Sequence, residues 1–475
     1  MNLGLISLFI PIIVIALAII TKRIIVSLIT GIIIGGILLE KGDIIQGVVS
    51  ASDYLIKSTA TAENVYIIFF LFLFGAFAEI MKLSGGINGF ANMTGRYIKT
   101  ERGALGAIWA VTPATFIDCC FHDIAAGTVG KALNEKVGGN KRKLAFVLNV
   151  TSCLLIVLIP FGTTYIGYII GVLGSSFSKA GLNQSAYLTY LKSIPFNFYA
   201  IVMILISIAV IVFNFGFKKE IKTQDEDSDF EKQHGHDEAH EQCEFEEKAP
   251  PRPFNLILPL AFLIISTFFL LWLTGKGQGR GFFDAIVNAD FEKSIFVSAL
   301  TTMILTAVYY LFQKVPLREI ESHFLSGGGE MLPPIIVLIL SWGLSSIING
   351  LGFVDFISGS VAVNLPKFLL PVTVFLIGCF ASYFMGSAWG TWALIMPIAL
   401  PIAVSTNLNI PLMVGAVLAG GSLGDNASPL GETAILSSTI SEIPLMEHVK
   451  SQLPYSLTGV AISAVLFSVF ALVLA

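Results

Sequence analysis

The run from Met413 to Ser437 is apolar enough to span a membrane, yet its middle reads Gly420-Gly-Ser422-Leu-Gly-Asp425-Asn426-Ala-Ser428-Pro429-Leu-Gly-Glu432-Thr433. An ionisable side chain in hydrocarbon costs roughly 2.5 kcal/mol or more, so carboxylates at that depth line a path for ions or solutes instead of facing lipid. Glycine and proline at the same depth predict an interrupted helix. Its freed carbonyls and amides are then available to a ligand, which is how secondary transporters build their sites.

The rest of the chain fits that setting. Of 475 residues, 55% are hydrophobic and 13% charged, about half the charged share of a soluble domain. Apolar runs of spanning length occur at 3–20, 24–40, 65–84, 144–173, 196–217, 254–274, 294–312, 332–350, 412–437 and 455–474. The expected fold is therefore an all-α polytopic membrane protein with roughly ten crossings, placed in the cell inner (plasma) membrane. The net charge of −4 comes largely from one acidic stretch, which leaves no basic surface for nucleic acid. No basic region precedes residues 3–20 and Lys22-Arg23 follow them, so this run reads as a first crossing and not as a cleaved signal. The five cysteines, at 119, 120, 153, 243 and 379, have no zinc-like spacing. They are expected to be small packing residues without disulfides.

Residues 218–252 are dense in Asp, Glu, Lys and His and read as an acidic solvated linker. His234, His236, His240 and Cys243 within it resemble a loose metal-binding tract, but the flexible acidic setting favours a solvated tail. The linker divides the chain into halves, 1–217 and 253–475. In each, three crossings precede a polar-interrupted hairpin (103–137 and 367–408), a broken helix and a final crossing. Pro160-Phe-Gly162-Thr-Thr164 echoes Pro429-Leu-Gly431-Glu-Thr433, and Phe116-Ile-Asp-Cys-Cys-Phe121 sits at the place of Phe384-Met-Gly-Ser-Ala-Trp389. Cytoplasmic loops are enriched in Lys and Arg. Lys22-Arg23 thus belongs inside and the N-terminus outside. Basic residues flank 103–137 on both ends (Arg96, Lys99 and Arg102; Lys141-Arg142-Lys143), so this hairpin is expected to be re-entrant from the cytoplasm. Carrying the count forward leaves the linker cytoplasmic and the second half inverted relative to the first, with a site near the midplane between the repeats.

Several residues could furnish that site. Asp118 and His122 stand at i,i+4 and would share a helix face. A carboxylate beside an imidazole can hold a proton or a cation. The alternative is a polar cap at the hairpin tip with Asp123 as N-cap. Around Pro160, Asn149, Thr151, Ser152, Thr163 and Thr164 offer neutral oxygens suited to a hard cation, or donors suited to an organic carboxylate; in a membrane helix such hydroxyls commonly bond back to their own backbone. Ser387, Trp389 and Thr391 occupy a glycine-containing hairpin tip. If the last broken run were helical throughout, Asp425, Ser428 and Glu432 would form one stripe, with Ser422, Asn426 and Thr433 beside it. Two acids on one stripe can exchange a cation such as Na+ for protons. A membrane hydrolase is disfavoured because no nucleophile–base pair or His-x-x-x-His spacing is present within the apolar runs. A channel fits oppositely facing hairpins less well than alternating access does.

Ser387-Ala-Trp389-Gly-Thr391-Trp, Met396-Pro-Ile-Ala and the Gly420–Ser438 segment resemble the paired motifs of the NhaC-type sodium/proton antiporter family. The resemblance implies an inverted-repeat secondary transporter, commonly a homodimer, with Na+ and H+ as its ions and no cofactor. Asp425 and Glu432 would then be the Na+ ligands. Relatives carrying organic acids or amino acids leave open a Na+- or H+-coupled carrier of a small carboxylate or amino acid. The chain has Asn426 where many members carry histidine, Glu432 where they carry aspartate, and Cys119 in place of a second acid after Asp118.

Overall fold

The computed structural model describes residues 3–86, 98–182, 184–214, 216–217, 252–276, 281–353, 356 and 366–474. The linker up to residue 251, with its histidines and Cys243, and the basic residue Arg96 lie outside the described residues. All regular elements among the described residues are helical. The first half contributes α1 (Leu3–Thr21), α2 (Ile24–Leu39), α3 (Ile44–Thr59), α4 (Ala62–Lys82), α5 (Glu101–Val111), α6 (Cys119–Lys136), α7 (Lys141–Asn149), α8 (Thr164–Lys179), α9 (Ala186–Ser193) and α10 (Phe198–Phe213). The second contributes α11 (Phe254–Gly275), α12 (Phe282–Val287), α13 (Phe291–Phe312), α14 (Leu317–Glu330), α15 (Leu332–Gly350), α16 (Leu369–Met385), α17 (Ala388–Ser405), α18 (Ile410–Ala427), α19 (Glu432–Ile440) and α20 (Leu445–Val473).

By length and composition, six helices can each cross a membrane, or up to eight if two bent pairs each count as one span. The ten apolar runs differ from this for identifiable reasons. Runs 144–173 and 412–437 are both interrupted. Run 24–40 is followed by an unexpected helix, α3, which turns back on α2 at 118°. It escapes a hydropathy reading because Gln46, Ser50, Ser52, Asp53 and Lys57 punctuate its apolar residues. Helix starts carry their own polar caps, which satisfy amides that the helix cannot. Asp43, Thr61 and Asn409 accept from Gln46 N (3.0 Å), Asn64 N (3.3 Å) and Leu412 N (3.0 Å).

Packing is reciprocal between the halves. The α4 helix lies against α13 and α14, while α15 lies against α2 and α3. Hairpins α5–α6 and α16–α17 each fold back on themselves, and α10 packs along α20. Large apolar side chains on the outer helices are exposed, including Leu205, Ile265, Phe312 and Val465. On an apolar polytopic bundle this is the lipid-facing surface.

The broken run sits at the centre, where every residue of α18 from Leu412 to Ala427 is buried. Its neighbour α16 approaches backbone to backbone, as small residues allow between membrane helices. A Cβ on Gly420 would stand 2.7 Å from Phe375 O, and one on Gly424 would stand 2.4 Å from Ser382 O. Ser382 Oγ uses the closeness to donate to Gly420 O at 2.8 Å. Gly424→Val is therefore expected to destabilise the fold by about 1–3 kcal/mol through overpacking. Gly106→Ala, with open space around its Cβ position, is the control. Melting of the detergent-solubilised variants measures the difference.

At one end of the bundle, Glu442 bridges Lys131 (2.6 Å) and Lys141 (2.7 Å), and Arg142 pairs with Glu447. These pairs tie α6 and α7 to the α19–α20 junction. Hydrogen bonds from the two lysines hold the Glu442 carboxyl down at about 2. Since this lies below the unfolded value of about 4.3, the stabilisation is present above pH ~4.3 and is lost as pH falls through about 2. Glu442 is half exposed, so the contribution is screened to at most about 1 kcal/mol. Glu442→Gln should lower the melting temperature slightly at neutral pH and leave it unchanged near pH 2.

Candidate ion and substrate site

Both hairpin tips meet helix breaks. In the first half, Asp118 caps α6, its Oδ2 accepting from Cys120 N (2.9 Å) and Phe121 N (3.2 Å). The same carboxylate accepts from Thr164 Oγ1 at 2.9 Å, and Thr164 N donates to Ile117 O at 3.0 Å. The tip is thereby joined to the first turn of α8, just past the Pro160 break. In the second half, Ser387 caps α17, accepting from Gly390 N. Ala388 N then donates to Asp425 Oδ1 at 2.9 Å, joining this tip to the end of α18. Gly386 allows the approach: it adopts φ +65°, and a Cβ there would lie 2.4 Å from Leu430 Cβ.

Contacts also cross between halves. Tyr165 OH donates to Asp425 Oδ2 at 3.2 Å, and Tyr168 OH donates to Trp389 O at 2.8 Å. Cys120 Sγ donates to Glu432 Oε1 at 3.1 Å, and Ser437 Oγ donates to Asp123 Oδ1 at 2.8 Å. Asn149 and Asn426 form a double link: Asn149 Nδ2 donates to Asn426 O and Asn426 Nδ2 to Asn149 Oδ1, each at 3.1 Å.

A cavity of about 250 Å³ opens where the tips converge. Asp118 and Cys120 from the first hairpin, Ser387 and Trp389 from the second, Glu432 from α19 and Glu330 from α14 face it. Glu432 is exposed because it opens onto this space. Asp425 is 5% exposed and lies behind the wall, against the α17 amide and the Tyr165 hydroxyl. Neither Asp425 nor Glu432 joins an ion pair among the described residues. Lys82 pairs instead with Glu79, which also meets His323 Nδ1 at 3.3 Å. The Lys82 charge nonetheless acts through space on Asp118, Glu330 and Glu432. A larger recess of about 760 Å³, lined by Tyr54, Glu63, Lys179 and Glu292 among others, carries none of the hairpin-tip residues.

Three expectations need correction. Asp118, not Asp123, is the N-cap; Asp123 lies inside α6, fully buried against Ser437. His122 does not pair with a carboxylate. Its Nδ1 meets Thr115 Oγ1 (2.7 Å) and its Nε2 meets Thr151 Oγ1 (3.0 Å), because Asp118 sits outside the helix and turns to its own cap. Nor do Asp425, Ser428 and Glu432 share a stripe. Ser428 is extended at φ −79°, ψ 140°, and α19 begins anew at Glu432.

The remaining predicted residues hold the breaks. Thr163 caps α8 through Ile166 N (3.2 Å). Ser152 bonds to Asn149 O, Ser422 to Leu418 O and Thr391 to Ser387 O. Ser428 Oγ accepts from Leu430 N at 3.1 Å, and Thr433 Oγ1 donates to Asp425 O at 2.8 Å. Trp389 walls the cavity, with the rings of Tyr165 and Tyr168 each 4.8 Å away. Sequence reasoning missed Glu330, Glu79 and Lys82. The available signal was an acid directly before Met331-Leu-Pro333-Pro334, together with a Glu–Lys pair at i,i+3 inside an apolar helix.

Asp118 combines a cap with a charge, and two substitutions separate them. Asparagine caps as well as aspartate, so Asp118→Asn should keep stability and alter ion binding. Asp118→Ala should lose about 1 kcal/mol as well, measured by melting and ion titration in parallel.

Comparison with known proteins agrees with this architecture. The chain is 28% identical over 465 residues to an uncharacterized protein of Haemophilus influenzae, covering 94% of this chain and 86% of that one. It is 27% identical over 192 residues to the malate-2H(+)/Na(+)-lactate antiporter of Bacillus subtilis, covering 39% of each. The solved structure of the Alcanivorax borkumensis YdaH transporter superposes with a TM-score of 0.56 at 14% identity, over 89% of this chain and 88% of that one, a likeness of fold. The model of the Na+/H+ antiporter family matches residues 155–472, which include the first helix break, the second hairpin and the second break. This multi-pass membrane chain, a transporter and not an enzyme, belongs to the Na+/H+ antiporter family.

Proposed function

We propose that the protein exchanges Na+ for H+ by alternating access, with Asp118, Glu432 and Asp425 as the charges that hold one or the other. The observation carrying this reading is the convergence of both hairpin tips and the second helix break on one cavity, with the first break tied to it through the Thr164–Asp118 bond, carboxylates from each half and, among the described residues, no ion pair on Asp425 or Glu432. A carboxylate in such a place needs a mobile positive partner. Na+ meets it when present, and a proton replaces it otherwise. The oriented amide of Ala388 at the start of α17 and the Tyr165 hydroxyl bind Asp425 from the neutral side, leaving its remaining lone pairs for a cation. The repeated order of parts and the reciprocal packing support two inverted repeats, 1–217 and 253–475. Hairpins 103–137 and 367–408 would then open from opposite faces. The basic loops support an N-terminus outside, residues 218–252 in the cytoplasm and residence in the inner membrane. Assembly as a homodimer belongs to the same reading.

A second reading is favoured by the size of the cavity. At about 250 Å³, the cavity has room for roughly eight waters at about 30 Å³ each, far more than one bare Na+ needs. That space suits a small carboxylate or amino acid carried with Na+ or H+; of the hydroxyls expected to bind it, Ser387 lines the cavity, Thr164 is bonded to Asp118 on its wall, and Thr163 and Thr391 are buried behind the lining. Reconstituted vesicles separate the two. Na+/H+ exchange predicts acidification or alkalinisation driven by a Na+ gradient alone; strict dependence on an added organic acid or amino acid would replace it with the carrier reading. Asp425→Asn keeps an oxygen for Ala388 N while removing the charge. It should abolish coupled flux with normal membrane insertion, and undiminished flux would remove Asp425 from the mechanism.

A further inference from the structure

The first hairpin tip holds more than carboxylates. Cys119 and Cys120 open α6, and their sulfurs stand 3.8 Å apart. Two thiolates on one tetrahedral zinc, each at about 2.3 Å, are separated by about 3.8 Å, so the pair is already spaced to share a metal. A carboxylate oxygen of Asp118 and both sulfurs lie within 4.8 Å of one another. Glu432 Oε1 lies 3.1 Å from Cys120 Sγ but outside that group, so a shift of its side chain would bring it in as a fourth donor from the other half of the chain. Asp118, Cys119, Cys120 and Glu432 all line the cavity, so an ion entering it reaches all four. The start of α6 favours negative charge on these ligands. Adjacent cysteines lack the spacing of a zinc motif, so only the fold brings them together with Asp118 and Glu432.

We infer that Asp118, Cys119, Cys120 and Glu432 form a binding site for a thiophilic divalent cation, Zn2+ or Cd2+, whose occupancy closes the cavity to its cargo. Two sulfurs with two carboxylate oxygens select such ions over Na+, which thiolates bind poorly. On binding, two S–H bonds give way to two metal–sulfur bonds, and both protons pass to water in the cavity. The metal would also pin the α6 tip to α19, linking the halves where hairpin and broken helix must separate if access is to alternate. Closure of the cavity rests on the transport reading above; binding of the metal does not.

Cd2+ titration of the purified full-length protein, followed by the ultraviolet sulfur-to-cadmium charge-transfer band, tests binding. The band should saturate near one Cd2+ per chain. Affinity should fall at least about tenfold in Cys119→Ser and in Cys120→Ser, and the band should vanish in the double variant while persisting in Cys379→Ser. Absence of a band in the unaltered protein, or its survival in the double variant, would overturn the site. In vesicles, Zn2+ should suppress flux, reversibly with a chelator, and the double variant should resist when compared with its own metal-free rate. Equal suppression of both would overturn the closure. A protein that shows the band yet moves neither Na+ nor H+ would keep the metal site and refute the transport reading.

Discussion

A helix interrupted inside an apolar bundle exposes peptide groups that lipid cannot satisfy, and the structure depends on how those groups are met. At the second break, Asn426 O accepts from Asn149 Nδ2 and from Gln452 Nε2, and Asp425 O accepts from Thr433 Oγ1. At the first, Tyr190 OH donates to Val157 O at 2.6 Å, and Thr164 N donates to Ile117 O. The Asn149–Asn426 link binds one break to the other. Neither interruption is stable by itself, since each draws donors from elsewhere in the fold. The cavity opens beside the second of them, where the two hairpin tips converge.

Charge placement follows from the same geometry. A hairpin tip brings unpaired amides to a helix start, and those amides fix a carboxylate: Asp118 on its own tip, Asp425 on the tip of α17. Glu432 and Glu330 have no such anchor and face open space. Among the described residues the site thus contains two carboxylates held by backbone amides and two that are not, Glu432 instead accepting from Cys120 Sγ, with Lys82 engaged by Glu79 at its border. Glu432, held by a thiol and not by a backbone amide, can change partner without disturbing the backbone, as exchange of one ion for another requires.

Much of this was legible in the sequence, because breaks and tips are written in local chemistry. The Pro160 and Pro429 echoes fall on the two breaks, and Asp118 and Ser387 start the second helix of each hairpin. What remained hidden depends on longer range. No local rule distinguishes Asp118 from Asp123 as a cap when both precede apolar residues; in the fold Thr164, from the far side of the first break, holds Ile117 and Asp118 at the helix start. Glu330 closes a polar helix that reads as a loop, and only the packing of α14 on α4 brings it to the cavity. The continuous stripe of Asp425, Ser428 and Glu432 failed because Pro429 lacks an amide and sets Ser428 extended.

The central claim is that Na+ and H+ compete for the same carboxylates at the hairpin tips and the second break. Calorimetric Na+ titration of the purified protein in two buffers of different ionisation heat counts protons directly. A binding heat that shifts with the buffer, corresponding to at least one proton released per Na+ bound and lost in Asp425→Asn, is expected. A binding heat independent of the buffer would mean that Na+ enters without displacing a proton, and competition at these carboxylates would be contradicted.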